Sequence, residues 1–341
     1  MANTFFKSFA ESDRTTSRTL LHEAIPITGS LVSGTYSSNN NIKTFSHGMF
    51  KSVYDYPYLS SSANHIFDVS YGYSTASTFY ATGNTQHSKK LNMYNQMAQI
   101  LAGFDTQNKV RLFDGDGNYS TSGDKHNEAF MISFSRLLVK DEIKRGSFSL
   151  TLGTGSSYST PFADTSVITD STATGSVKIN SPAGEYGILK DADDNNVGLL
   201  YYQAGVAILS SSVLGPLATT EYNSGGEFHE ALVTGSTIEA MADAFTHRIQ
   251  NISFNNTTEL NSTIYFCRAN HNEFNYSSNP TYLSGSKVLV KADDLMMPPR
   301  SYVTTVGLYS ADNELLAVAK LSEPLRKDPT NELTLRVRLD Y

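Results

Sequence analysis

The sequence predicts a mainly β fold with a few α-helices, an α+β chain of antiparallel sheets or sandwich-like lobes with loop-rich insertions. Three observations lead there. Ser, Thr and Asn number about 100, roughly 30% of the 341 residues, whereas only 17% of the chain is charged, against about 25% in ordinary soluble proteins. Such side chains compete with helical hydrogen bonds and suit strands and turns. Most patterned segments alternate apolar and polar residues with period two. Only two stretches carry apolar residues at helical spacing.

Taken in order, residues 1–40 read as an N-terminal arm and loop. Phe5, Phe6 and Phe9 precede Asp13, Arg14, Thr15 and Thr16, with room for a short helix. Gly29 to Asn41 is rich in Ser, Gly and Asn and reads as a loop. Residues 41–152 form a first lobe with a helix near 88–104. Ser88 is its expected N-cap. Leu91, Tyr94, Met97, Ala98, Leu101 and Phe104 make its apolar stripe, and Gly103 stands where a C-terminal glycine is expected. Phe148, Leu150 and Leu152 alternate with Ser and Thr as a strand.

Residues 153–183 are dense in Gly, Ser, Thr and Asp and read as an excursion outside the main core. Residues 184–341 form a second lobe with a helix near 237–250 and C-terminal strands. Gly198 to Leu209 reads as two short strands around Gln203-Ala204-Gly205, or as one strand bulged at Gly205. Gly215 to Gly226 is a flexible stretch. In the second helix, Ser236 and Glu239 suit a capping box, and Ile238, Met241, Ala242, Phe245 and Ile249 form a core-facing stripe. Val288 and Val290 alternate with lysines and Leu289. Tyr302 to Tyr309 and Leu315 to Leu321 read as a hairpin around Ser310 to Glu314. Leu333, Leu335, Val337, Leu339 and Tyr341 alternate with Thr334, Arg336, Arg338 and Asp340 as a half-buried strand.

Composition excludes several functions. No apolar run reaches 18 residues, which argues against a membrane span. Met1 to Ala10 lacks the pattern of a secretory signal. The single Cys267 excludes an internal disulfide framework and a multi-cysteine zinc cluster. A net charge of −7 argues against general nucleic-acid binding.

Each motif with chemical potential has a plainer reading. Asp114-Gly115-Asp116-Gly117-Asn118 opens like a calcium loop, but Tyr119 replaces the sharp-turn glycine and Lys125 the bidentate glutamate. A turn explains it better, as it does Asp191 to Asn196. Cys267 lies near His271 and Glu273, yet follows Ile264 and Phe266 in an apolar run that suits an inert thiol. Asn-x-Ser/Thr triplets at Asn118, Asn251, Asn255, Asn256, Asn261 and Asn275 follow from composition. Paired carboxylates, Asp293 with Asp294 and Glu227 with Glu230, are compatible with glycoside hydrolysis on composition alone. No serine-hydrolase elbow, zinc-binding histidine pair or phosphate loop is present. The expectation is therefore a non-enzymatic protein with no catalytic, cofactor-binding or metal-binding residues and no cofactor.

Six phrases carry a resemblance. They are SVYDYPYLSSSANHIFD (from Ser52), KDEIKRGSFSL (from Lys140), SPAGEYG (from Ser181), VGLLYYQAG (from Val197), ANHNEFNYSSNPTY (from Ala269) and the run from Gly307 to Tyr341. From about residue 45 onward the chain resembles virion structural proteins of contractile-tailed bacteriophages, including marine T4-like phages. The resemblance implies a part of the tail baseplate or the neck, made in the host cytoplasm. It implies other virion proteins as partners and several copies per particle, with no nucleic-acid or membrane partner, and it transfers no catalytic residue. A receptor- or carbohydrate-binding tail protein is the alternative favoured by the many Tyr, Asn and Ser; the absence of Trp weighs against it. A tail glycosidase rests only on the available carboxylates.

Overall fold

The computed structural model describes residues 6–27, 40–80, 82–83, 85–119, 123–155, 160–217, 237–277, 279–288 and 299–341. Among the described residues strands make up 44% and helices 16%, so the fold is mainly β with large antiparallel sheets. In chain order the first strands are β1 (Arg14–Ile27), β2 (Ile42–Thr44), β3 (Lys51–Tyr54), β4 (His65–Tyr73), β5 (Glu128–Phe134) and β6 (Glu142–Ile143). Next come β7 (Ser149–Gly153), β8 (Thr165–Thr169), β9 (Tyr186–Lys190), β10 (Asn196–Tyr201), β11 (Val206–Ser210) and β12 (Ile249–Ala269). The last are β13 (Leu283–Ser284), β14 (Lys287–Val288), β15 (Ser301–Tyr309), β16 (Leu315–Lys327) and β17 (Leu333–Asp340). The helices are α1 (Thr85–Leu101), the single turn α2 (Arg136–Val139) and α3 (Ile238–His247).

The chain divides into a larger unit, Leu21–Thr258, and a smaller one made of Met1–Leu20 with Glu259–Tyr341. This division falls elsewhere than the lobes read from composition. Strands β1 and β12 each continue from one unit into the other.

In the larger unit the sheet runs β7-β8-β9-β10-β11-β5-β4-β3-β2, with the first part of β12 beside β7. Its central strands are buried on both faces. Phe130, Ile132, Leu200, Ala207 and Leu209 join one core cluster, whereas Met131, Leu199, Tyr201, Val206 and Ile208 join the other. That is why these strands read as unbroken apolar runs. The run from Gly198 to Leu209 resolves into two strands, β10 and β11, paired antiparallel.

Helix α1 begins at Thr85, three residues before the expected cap, so Ser88 lies inside it. Most of its stripe is a core face, with Tyr94, Ala98 and Leu101 buried; Gly103 takes φ 79° just past its end, and Phe104, read as the last of the stripe, lies beyond the helix and is exposed. Gly72 of β4 lets the helix approach, because a Cβ there would stand 2.6 Å from the Lys90 carbonyl oxygen. On α3 the cap is Thr237, whose hydroxyl accepts from the Ala240 N–H at 3.2 Å; Ser236 lies outside the described residues. The helix buries Ile238, Met241, Ala242 and Phe245, and Phe245 stacks on Phe130 with centroids 4.6 Å apart.

The stretch 153–183 is not an excursion from the core. Strand β8 pairs with β7 along five residues, and Ile168, Asp170 and Ala173 are buried. Asp170 accepts from the Gly146 N–H (2.8 Å), the Phe148 N–H (2.9 Å) and the Tyr202 hydroxyl (3.0 Å). Burial pushes its carboxyl up from the ordinary value while the three donors pull it down. Arg248, also buried, donates through Nη1 to the carbonyls of Gly153 (3.1 Å) and Gly155 (3.0 Å). Composition misread this segment because its few anchoring residues are outnumbered by Ser, Thr and Gly.

In the smaller unit, β17 pairs with β12 from Ser262↔Asp340 to Ala269↔Leu333. Its alternation holds to Asp340: Val337 is buried, Leu333, Leu335 and Leu339 are half-buried, and Thr334, Arg336, Arg338 and Asp340 are exposed; Tyr341, read as the last inward residue, lies past the strand and is exposed. The expected hairpin is β15 with β16, a two-stranded sheet closed by Ser310 to Glu314. Strands β13 and β14 form a short second hairpin; Leu289 and Val290 lie outside the described residues.

Removing the Asp170 carboxylate takes the acceptor from the buried Phe148 N–H, the half-buried Gly146 N–H and the buried Tyr202 hydroxyl. Asp170→Ala is expected to cost the larger unit about 2–4 kcal/mol in denaturant unfolding, and Asp170→Asn clearly less. A loss below about 1 kcal/mol for the alanine variant would refute the carboxylate's anchoring role.

Candidate interaction surface

The smaller unit exposes several large apolar side chains, Phe6, Tyr276, Tyr302, Leu315, Leu316 and Val318 among them. The N-terminal arm packs on its own chain: Phe6 meets the edge of Tyr309 (centroids 4.9 Å apart) and Phe9 lies against Tyr265 (5.3 Å). Two ion pairs fix it, Lys7 with Glu273 at 2.6 Å and Arg268 with Asp13 at 2.8 Å. The arm, the end of β12 and β15 line a groove of about 640 Å³ that includes Phe274, Tyr276 and Tyr302.

The β15–β16 hairpin is anchored at its base and exposed toward its tip. At the base, Lys327 is fully buried and donates to the His271 carbonyl (3.3 Å), Asn275 Oδ1 (2.8 Å) and the Asp328 carbonyl (2.9 Å). Burial pulls its ammonium below the usual lysine value, and Asp328 opposes that shift. Ser301, opposite Lys327 in the ladder, donates to the Phe274 carbonyl at 2.5 Å. At the tip the Ser310 hydroxyl accepts from the N–H groups of Asp312 (3.2 Å) and Glu314 (3.1 Å). Between base and tip, Leu315, Leu316 and Val318 are 53%, 67% and 51% exposed, values that isolated core-forming strands do not show.

Sequence reading missed β1. Its residues Arg14 to Ala24 are exposed, and it is the end strand of its sheet. In the smaller unit, Arg18 pairs with Glu259. In the larger, His22 bonds the Thr257 hydroxyl (3.1 Å) and the Glu23 N–H donates to Asn256 Oδ1 (3.2 Å). The one available signal was its Thr content, a weak strand preference with no apolar alternation behind it.

Several of the residues weighed for chemistry make local structural contacts. In the Asp114 loop, buried Asp114 is ion-paired with Lys125, and the Asp116 carboxylate accepts the Asn118 N–H at 3.0 Å. Asp191 Oδ1 accepts the N–H groups of Asp193 (3.0 Å) and Asn195 (2.9 Å), an Asx-type turn. No cluster of three or more His, Cys, Asp or Glu side chains suited to a metal occurs among the described residues. Cys267 is half-buried opposite Leu335, and burial pushes its thiol up, away from the thiolate. His271 is exposed and lies 3.5 Å from Glu332. Asp293, Asp294, Glu227 and Glu230 fall outside the described residues. No helix of the described residues is long and apolar enough to cross a membrane.

Two buried bases in the larger unit escaped the sequence reading. His126 is buried beside the Asp114 loop, and burial lowers its pKa to about 4. Lys90 on α1 sits over the Tyr71 ring, 5.9 Å from its centroid, and burial lowers its ammonium to about 8.

No protein-family model matches the chain, and neither a curated protein nor a solved structure matches it.

Lys327→Met removes one donor group from three acceptors and is expected to destabilise the smaller unit by about 2–4 kcal/mol. Faster amide exchange along β15 and β16 checks this; unchanged protection there would refute it. For His126 the folded pKa lies below the unfolded 6.5, so the unfolded chain binds the extra proton. Stability is expected to fall as pH drops from about 6.5 through about 4, and His126→Leu should blunt that loss in acid titrations of unfolding.

Proposed function

We propose that this chain is a non-enzymatic structural subunit of a tailed bacteriophage virion, seated in the tail baseplate or, alternatively, the neck. The observation that carries the reading is the smaller unit's surface. It offers solvent a strand exposed along Arg14 to Leu20 and a hairpin with exposed Leu315, Leu316 and Val318. An isolated monomer gains nothing from apolar side chains on a free strand edge, whereas a subunit buries them against neighbours. Main-chain pairing at such edges supplies affinity without any special side-chain chemistry. The resemblance of its long phrases to contractile-tail virion proteins supplies the setting for this proposal.

The arm packs on its own chain through Phe6 and Phe9 and so shapes the surface offered to a neighbour. The groove beside them supports a second reading, a carbohydrate- or receptor-binding tail protein, because Tyr276 and Tyr302 offer faces for sugar stacking.

Mass spectrometry of purified virions is expected to find the chain at stoichiometric copy number with the tail proteins. Its absence from particles would overturn the structural reading. A strong hit on a glycan array, lost in Tyr302→Ala, would move the assignment to the second.

A further inference from the structure

We infer that the outer edge of β16 pairs antiparallel with β16 of a second copy of this chain, about a two-fold axis at Val318. This rests on the assembly reading above and goes further by naming the partner and the register.

The hairpin asks for a third strand. Strands β15 and β16 form a two-stranded sheet, and among the described residues nothing else pairs with it. Two strands alone are marginal, and a third with an apolar face brings independent stability. The free backbone groups of β16 are the template for it.

The sequence of that edge is nearly its own mirror. Residues Leu315 to Leu321 read Leu-Leu-Ala-Val-Ala-Lys-Leu. Antiparallel pairing centred on Val318 sets Leu315 against Leu321, Ala317 against Ala319, and Val318 against its counterpart. Leu316 alone meets an unlike residue, Lys320. Each pair joins positions of the same parity, so the exposed face of Leu316, Val318 and Lys320 stays continuous across the junction. A two-fold interface requires that self-complementarity.

The ladder limits the contact to this segment. Register shifts near Leu316 and between Lys320 and Leu325 bracket the regular stretch Ala317 to Lys320. Pro324, inside the second irregularity, has no N–H to donate. The edge therefore accepts one short strand and does not invite a continuous fibre.

Charge points to a second copy as well. The smaller unit carries twelve basic and twelve acidic residues, so the whole net charge of −7 sits on the larger unit. Two smaller units meet without net repulsion, and two larger ones do not.

The test uses the full chain in a Cys267→Ser background. Residues directly opposite in an antiparallel pair have Cβ atoms about 4.5–5.5 Å apart. Val318→Cys is therefore expected to form disulfide-linked dimers under mild oxidation. Ser322→Cys, whose counterpart would lie roughly 27 Å away along the strand, should not. In sedimentation, Leu316→Lys sets like charges opposite Lys320 twice and should weaken the dimer about fivefold or more, while Leu316→Glu should not weaken it. No dimer from Val318→Cys, equal cross-linking at both cysteines, or equal weakening by both Leu316 variants would overturn the inference. The two readings fail separately: a chain present in virions yet monomeric and uncross-linked sinks this inference alone, and a cross-linked dimer absent from virions sinks only the virion assignment.

Discussion

The structure depends on the backbone pairing of β12. That strand runs 21 residues from Ile249 to Ala269 and must answer its N–H and C=O groups on both sides. β1 lies along one side. The other side is shared in turn by β7, β6 and β17. Few apolar side chains enforce this arrangement. Asn256 and Thr257, both fully buried, sit in the middle of the strand, and Asn256 reaches the Leu138 carbonyl at 2.9 Å while accepting from β1. A buried amide placed this way costs little only if every partner is present, which makes the strand's register specific.

The same economy runs through the larger unit. The excess of Ser, Thr and Asn first reads as surface chemistry, but several of the polar side chains inside act as backbone substitutes. Asp170 takes the place of a carbonyl for Gly146 and Phe148, Arg248 answers two carbonyls near Gly153, and the Tyr94 hydroxyl bridges the Phe113 N–H and the His126 carbonyl. A loop-rich chain has many backbone groups outside ladders, and side chains of this kind satisfy them.

How much was legible follows from burial. Strand β17 and the β15–β16 hairpin were readable because one face of each is more buried than the other, and that difference writes an alternation into the sequence. Helix α3 was readable for the same reason at period 3.6, with its cap off by one residue. β1 was invisible because neither of its faces is buried. β12 was legible only near its end, in the apolar run of Ile264 and Phe266, because Asn256, Thr257, Ser262 and Thr263 fill buried positions that an apolar pattern would have marked. The stretch 153–183 misled because Ile168, Asp170 and Ala173 are too sparse to outweigh their neighbours. The interaction surface was legible only as separate strands: neither the burial of Lys327 at its base nor the exposure of Val318 leaves a trace in local pattern.

The composition of the smaller unit from two distant pieces of chain has a kinetic consequence. Residues 21–258 are contiguous and hold both apolar core clusters, so they can condense from contacts within that stretch. The smaller unit must instead close a loop of more than two hundred residues before Phe9 can meet Tyr265. During synthesis residues 6–20 precede their partners by the full length of the larger unit. The β15–β16 hairpin follows the whole of residues 21–258 in the chain, so its open strand edge emerges only after every residue of the larger unit has been made.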